Sequence, residues 1–237
     1  MGMILSFVVF ITFVVFLYSV LRPAVTTGED KKTTLDYIEN KIEENTSVEL
    51  ASISIKIQDL KNPITNCVNF SSFFPYSLVS AHLVVKNESG DIQYAYYNLT
   101  ADFDSFRINR GNLNNLFFKI YSSPAFDKLP VTIIEPCTAI NYSNAYNITS
   151  TTTRKYLFEE NIYDLIDYYK NNYEGLKTEL NIPLGTEFVF GFTKSNGERI
   201  DVGNVSKSSS VYSREVPVQY IDNQANIQSG FINVKVW

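Results

Sequence analysis

The stretch from Met3 to Leu21, MILSFVVFITFVVFLYSVL, contains no charge, glycine or proline, and its only polar side chains are Ser6, Thr12, Tyr18 and Ser19. At 1.5 Å per helical residue it spans about 28 Å, close to the hydrocarbon thickness of a bilayer. A buried core helix is a poor reading of it, because no polar face recurs at helical spacing. A cleaved secretory signal is equally poor, since that needs a basic start, a shorter apolar stretch and a small-residue exit. Here Met1 and Gly2 lead straight into the apolar run, and the exit is Arg22-Pro23-Ala24-Val25. The sequence therefore predicts a transmembrane helix over residues 1–25.

Two features bear on orientation and pull in opposite directions. Arg22, Lys31 and Lys32 follow the apolar run and favour a cytoplasmic placement of that side by the positive-inside rule. Against this, Asn45, Asn69, Asn87, Asn98, Asn141, Asn147 and Asn204 each open an Asn-x-Ser/Thr triplet, the acceptor pattern for N-glycosylation. The triplets favour an extracellular head on a single-pass membrane protein. Next, KKTTLDYIENKIEEN carries Leu35, Ile38 and Ile42 on one narrow stripe. Residues 26–46 thus read as an amphipathic stalk helix, or as an ordinary amphipathic helix lying on the head.

From Val48 the pattern changes to β-type alternation, and residues 47–237 read as one β-rich head domain. Ser77–Lys86 and Ile92–Thr100 flank the turn-rich Asn87–Asp91 as a hairpin, with further strands over Leu116–Ser122 and Val131–Glu135. The polar run from Thr138 to Thr153 reads as an exposed loop. Leu157–Leu180 has helical spacing with Gly175 as a point of division, and strands return at Glu187–Thr193, Arg199–Val202, Val211–Asp222 and Gly230–Trp237. The expected class is α+β: a long N-terminal transmembrane and stalk helix, then a mainly antiparallel sheet with one or two covering helices.

Composition excludes more than it selects. A net charge of -5 and a pI near 5.0, without any Lys/Arg cluster, exclude a nucleic-acid partner. Cys67 and Cys137 form no Cys-x-x-Cys pair, and either a disulfide or two buried free thiols fits an exported domain. The single histidine, His82, lies inside the apolar run SLVSAHLVVK and reads as structural. There is no Gly-x-Ser-x-Gly elbow, Walker loop or dinucleotide fingerprint. Asp102 and Asp104 are a weak calcium candidate without EF-hand spacing, and Glu159, Glu160, Asp164 and Asp167 read as a solvated helix face. No enzyme activity, cofactor or metal is expected. Surface contact falls to the tyrosines, Tyr94, Tyr96 and Tyr97 in one group and Tyr163, Tyr168, Tyr169 and Tyr173 in another.

Gly2 before MILSFVVFITFVVF, a proline near the end of that run, a continuing helix and a β-rich head closed by a C-terminal strand resemble the archaeal type IV pilins and pseudopilin-like proteins. The resemblance covers the first forty or so residues by pattern and the rest by architecture. It departs from the family in lacking a basic leader before the glycine and a glutamate early in the helix, where Leu5, Ser6 and Phe7 stand. It implies processing between Gly2 and Met3, homo-oligomerisation through the N-terminal helix into a cell-surface filament, and a glycosylated head used for adhesion to protein or glycan partners. The alternative is a membrane-anchored extracellular binding module, or an accessory subunit of a membrane complex, that does not polymerise.

Overall fold

The computed structural model describes residues 2–58, 67–71, 82–97, 106–109, 116–131, 137–141, 145–201, 203 and 211–237, with the backbone alone at 2–5, 20–30, 71, 97 and 139–141. In chain order the elements are α1 (Gly2–Thr46), β1 (Ser47–Ile57), β2 (Cys67–Ser71), β3 (Leu83–Asn87), β4 (Ile92–Gln93), β5 (Ala95–Tyr97), β6 (Phe106–Asn109), β7 (Phe117–Ser122) and β8 (Thr138–Asn141). They continue with β9 (Tyr146–Phe158), α2 (Glu159–Asn171), α3 (Tyr173–Glu179), β10 (Phe188–Thr193), β11 (Arg199–Asp201), β12 (Tyr212–Ile221) and β13 (Ile227–Val236). The chain is β-rich and divides into two compact units.

The first unit gathers Met1–Asn45, Asp164–Val218 and Ser229–Trp237. Within it β11, β10, β13 and β12 lie side by side, and β10 runs antiparallel to both β11 and β13. The stripe Leu35, Ile38 and Ile42 is buried, with exposures of 3%, 0% and 1%. Spacings of three and four residues put these side chains on one face of α1, and the unit buries that face. Polar contacts around the stripe hold α1 in place. Tyr37 donates its hydroxyl to the Leu180 carbonyl at 2.9 Å, and Arg214 pairs with Asp36 and, at 3.0 Å, with Glu39.

The second unit, Thr46–Tyr163 with Gln219–Gln228, is a β-sandwich. One layer orders its strands β9-β1-β7-β3-β4, and the other β5-β6-β2-β8. Alternation along β1 sends Ile53, Ile55 and Ile57 to one side, where they join Val85, Phe118, Ile120 and Tyr146 against Val68, Phe70, Phe106 and Ile108 of the other layer. Phe70 stacks on Phe106 and meets the edge of Tyr146, each with ring centres 5.1 Å apart. On the outer side of β1 a second cluster forms from Leu50, Tyr121, Phe126, Tyr156, Phe158, Ile221 and Ala225.

Several expectations are corrected. No helix among the described residues is long and apolar enough to cross a membrane. There is no separate stalk over 26–46 either, because the Leu35/Ile38/Ile42 stripe is core. The head is not one domain over 47–237 but two units, each drawing on distant segments. It is antiparallel in most pairings, yet β2 runs parallel to β8 and the end of β12 parallel to β9.

The supposed loop over Thr138–Thr153 is in large part strand, since β9 pairs antiparallel with β1 along its whole length from Ser47↔Leu157 to Ile57↔Tyr146. Its threonines are β-branched and suit a pleated strand whose outer face is wet, so polarity there marks solvent and not irregularity. The helical stretch starts at Glu159 rather than Leu157, and it breaks at Asn172 rather than Gly175. There the Asn172 side chain accepts from the Gly175 amide at 3.1 Å and caps α3. Of the strand expected over Val131–Glu135, all but Val131 lies outside the described residues.

Candidate assembly surface and the predicted site residues

The N-terminal part of α1 presents an apolar surface without a polar side. Every residue from Phe7 to Tyr18 except Thr12 is a large hydrophobic residue exposed by 39% to 65%. The hydroxyls that interrupt it turn inward: Thr12 donates to the Val8 or Val9 carbonyl at 3.0 or 2.9 Å, and Ser19 to Val15 at 2.8 Å. These bonds satisfy the hydroxyls within the helix, so the surface offers dispersion and burial and almost no hydrogen bonding. Contiguous exposed apolar area of this size is uncommon on monomeric soluble proteins.

Among the predicted glycosylation positions, Asn45 and Asn147 are exposed. Asn45 Nδ2 donates to the Lys41 carbonyl at 2.9 Å, closing the last turn of α1. Asn69 sits in the middle of β2 between β6 and β8, and its side-chain oxygen is shut off from solvent without a hydrogen-bond partner among the described residues. Asn87 is bound into the β3–β4 turn, accepting from the Asp91 amide at 2.8 Å and donating to the Asp91 carboxylate at 3.1 Å. Asn98 and Asn204 lie outside the described residues, as do Asp102 and Asp104. Asn141 is placed in β8, and Gly2 and Met3 in α1, by backbone alone. Cys67 and Cys137 are joined as a disulfide with their Cα atoms 4.8 Å apart. Parallel pairing of Val68 with Thr138 sets the two cysteines side by side at the ends of β2 and β8.

Several of the remaining sequence candidates are bonded within the fold. His82 Nδ1 bonds the Phe126 carbonyl and ties the start of β3 to the loop after β7. Glu159 accepts from the Tyr163 hydroxyl at 2.7 Å, and Glu160 accepts from the Asn223 amide. Tyr94 stands 75% exposed, Tyr96 is half-buried, and Tyr97 is described by backbone alone. Among the described residues no three His, Cys, Asp or Glu side chains gather to hold a metal ion.

The helix tyrosines form a polar knot in the first unit that sequence reasoning missed. Tyr173 donates to Glu187 Oε2 at 2.6 Å, Lys177 donates to Glu187 Oε1 at 2.8 Å, and Tyr169 donates to the Phe188 carbonyl at 2.7 Å. Burial, then the nearby Glu187 charge, pushes the Tyr169 hydroxyl up to about 12. Burial, then the bond to Glu187, raises Tyr173 as well. Burial would by itself raise Glu187, but the hydrogen bonds from Lys177 and Tyr173 outweigh it and hold the carboxyl below its usual range. Both phenols therefore stay neutral donors near pH 7, and the knot fastens α3 to β10 without supplying a nucleophile. Tyr173 and Lys177 stand four apart on α3, but no periodic signal joins them to Glu187, because a turn separates the helix from the strand.

No family model, curated protein or solved structure matches this chain.

Proposed function

We propose that the chain is a pilin-like structural subunit of a cell-surface filament, with residues 6–19 of α1 as the assembly element and the β-rich units turned outward for contact. The carrying observation is the all-round exposure of Phe7–Tyr18. A dimer contact covers one stripe of a helix and leaves the other side wet, whereas a bundle of many copies covers every side. Head-to-tail contacts that do not close into a ring generate such a bundle as a helical filament. The Gly2-Met3 step fits this reading as the processing point, and the exposed Asn45 and Asn147 fit it as glycan acceptors on the outside. The role asks for no catalytic group.

The test is to shear native cells without detergent, image the released material by electron microscopy with an antibody to this chain, and sequence its N-terminus. Labelled filaments whose subunits begin at Met3 are the expected result, and Phe10→Asp is expected to abolish them by placing a charge inside the bundle. A chain that stays wholly in the membrane pellet while other appendages shear off overturns the reading, and leaves the non-polymerising binding module in its place.

A further inference from the structure

The register of the second unit builds a polar groove on the outer side of its larger layer. Pairings Ser54↔Lys119 and Ser54↔Ser150 put Lys119, Ser54 and Ser150 in one row across β7, β1 and β9. The next row holds Ser52 opposite Thr152, their hydroxyls 2.8 Å apart, and the next holds Leu50 opposite Arg154. Together these side chains line a groove of about 320 Å³, with the largely buried Leu50 and Tyr156 as its apolar end. Lys119 and Arg154 are both exposed, and among the described residues neither has a carboxylate within salt-bridge distance. In a chain of net charge -5, the Lys119 ammonium, 5.1 Å from the centre of the Tyr121 ring, and the Arg154 guanidinium border the same patch of hydroxyls.

We infer that this groove binds an acidic carbohydrate, a sugar chain carrying carboxylate or sulfate groups. Lys119 and Arg154 meet the oxyanions, Arg154 with a fork that matches a carboxylate or sulfate edge. Ser54 and Ser150 each offer a donor and an acceptor to sugar hydroxyls, while Ser52 and Thr152, bonded to each other, offer one remaining donor between them and free acceptor lone pairs, on strands about 4.8 Å apart. The volume lies at the lower end of the range for small-ligand sites and suits one or two sugar rings. A protein partner fits worse, since the apolar part of the lining is Leu50, Tyr156 and Ile227 and only Ile227 is exposed, too little to form the aromatic and apolar core of an interface. Nucleic acid fits worse still, because two cations on an acidic chain neutralise too few phosphates. The inference rests on the second unit alone and stands whether or not α1 assembles.

Isothermal titration of the full-length protein with tetragalacturonate, with its methyl ester and with a sulfated tetrasaccharide tests this. The expected result is binding of at least one acidic sugar with Kd below about 1 mM, weakening as salt rises. The methyl ester and the Lys119→Gln/Arg154→Gln variant are each expected to lose at least about tenfold, as charge-assisted bonds are removed. Both substitutions are at exposed positions, so circular dichroism is expected to show an unchanged fold. Absence of binding by both acidic sugars, equal binding of the ester, or an unaffected double variant overturns the inference. Displacement of the sugar by inorganic sulfate at equal concentration also overturns it, leaving a simple anion site.

Discussion

Ile38→Ala separates a stalk from a core. Ile38 is fully buried and Asn40, two residues along the same helix, is exposed. The substitution removes three buried carbons at about 0.8 kcal/mol each, and the cavity left in a unit that relaxes incompletely adds to that. We expect a loss of about 3 kcal/mol, which for a chain of this size lowers the unfolding midpoint by roughly 6 to 12 °C. Asn40→Ala on the solvent side is expected to stay within about 0.5 kcal/mol of the parent. Thermal and urea unfolding of the detergent-solubilised full chain, followed by far-ultraviolet circular dichroism, reads both. If Ile38→Ala moves the midpoint no further than Asn40→Ala, the stripe is not core, and α1 projects from the first unit as a solvated stalk.

Other perturbations reach other parts of the molecule. Replacing Cys67 and Cys137 together by Ser opens a loop closed over a sequence separation of 70, and chain-entropy reasoning puts the loss near 4 kcal/mol; a urea-midpoint shift corresponding to under 1 kcal/mol contradicts it. The Glu187 carboxyl is depressed in the folded state, so its contribution is present above the ordinary carboxyl pKa and lost as pH falls through the lower folded value. Glu187→Gln is therefore expected to flatten the acid limb of a stability profile below about pH 4.5, and an unchanged limb in differential scanning calorimetry counts against the knot. A Cβ at Gly175 would lie 2.3 Å from the Asn172 side chain that caps α3. Gly175→Ala is expected to lose about 1 kcal/mol with the cap, although Ala is the better helix former, and to become stabilising once Asn172→Ala has removed the cap; additive effects in the double-mutant cycle refute the clash.

What the sequence disclosed is what periodicity can carry. The alternation of Ile53, Ile55 and Ile57, the Asn87–Asp91 turn and the stripe on α1 are local patterns, and each appears in the fold as the element it describes. The meaning of the stripe was not local. An i, i+3, i+7 pattern states that one face of a helix is covered, and the residues that bond the helix beside that face, Leu180 and Arg214, lie more than a hundred residues away. The division into two units is hidden for the same reason, because each unit closes by returning segments and no linker composition marks the boundary.

The polar run of β9 shows why the groove escaped notice as well. A strand buried on one face and wet on the other alternates, but Ser150–Lys155 is polar at every position, and a polar run without alternation imitates a loop. Here backbone pairing with β1 supplies what side-chain burial does not, and a register irregularity at Ser54/Ile55 lets the strand change between its buried end at Tyr146 and its solvated middle. The same pairing brings Arg154 and Lys119, 35 residues apart in sequence, to opposite sides of β1. A site made by register leaves no motif along the chain: its spacing exists only across strands, and only the fold can place its charges on one surface.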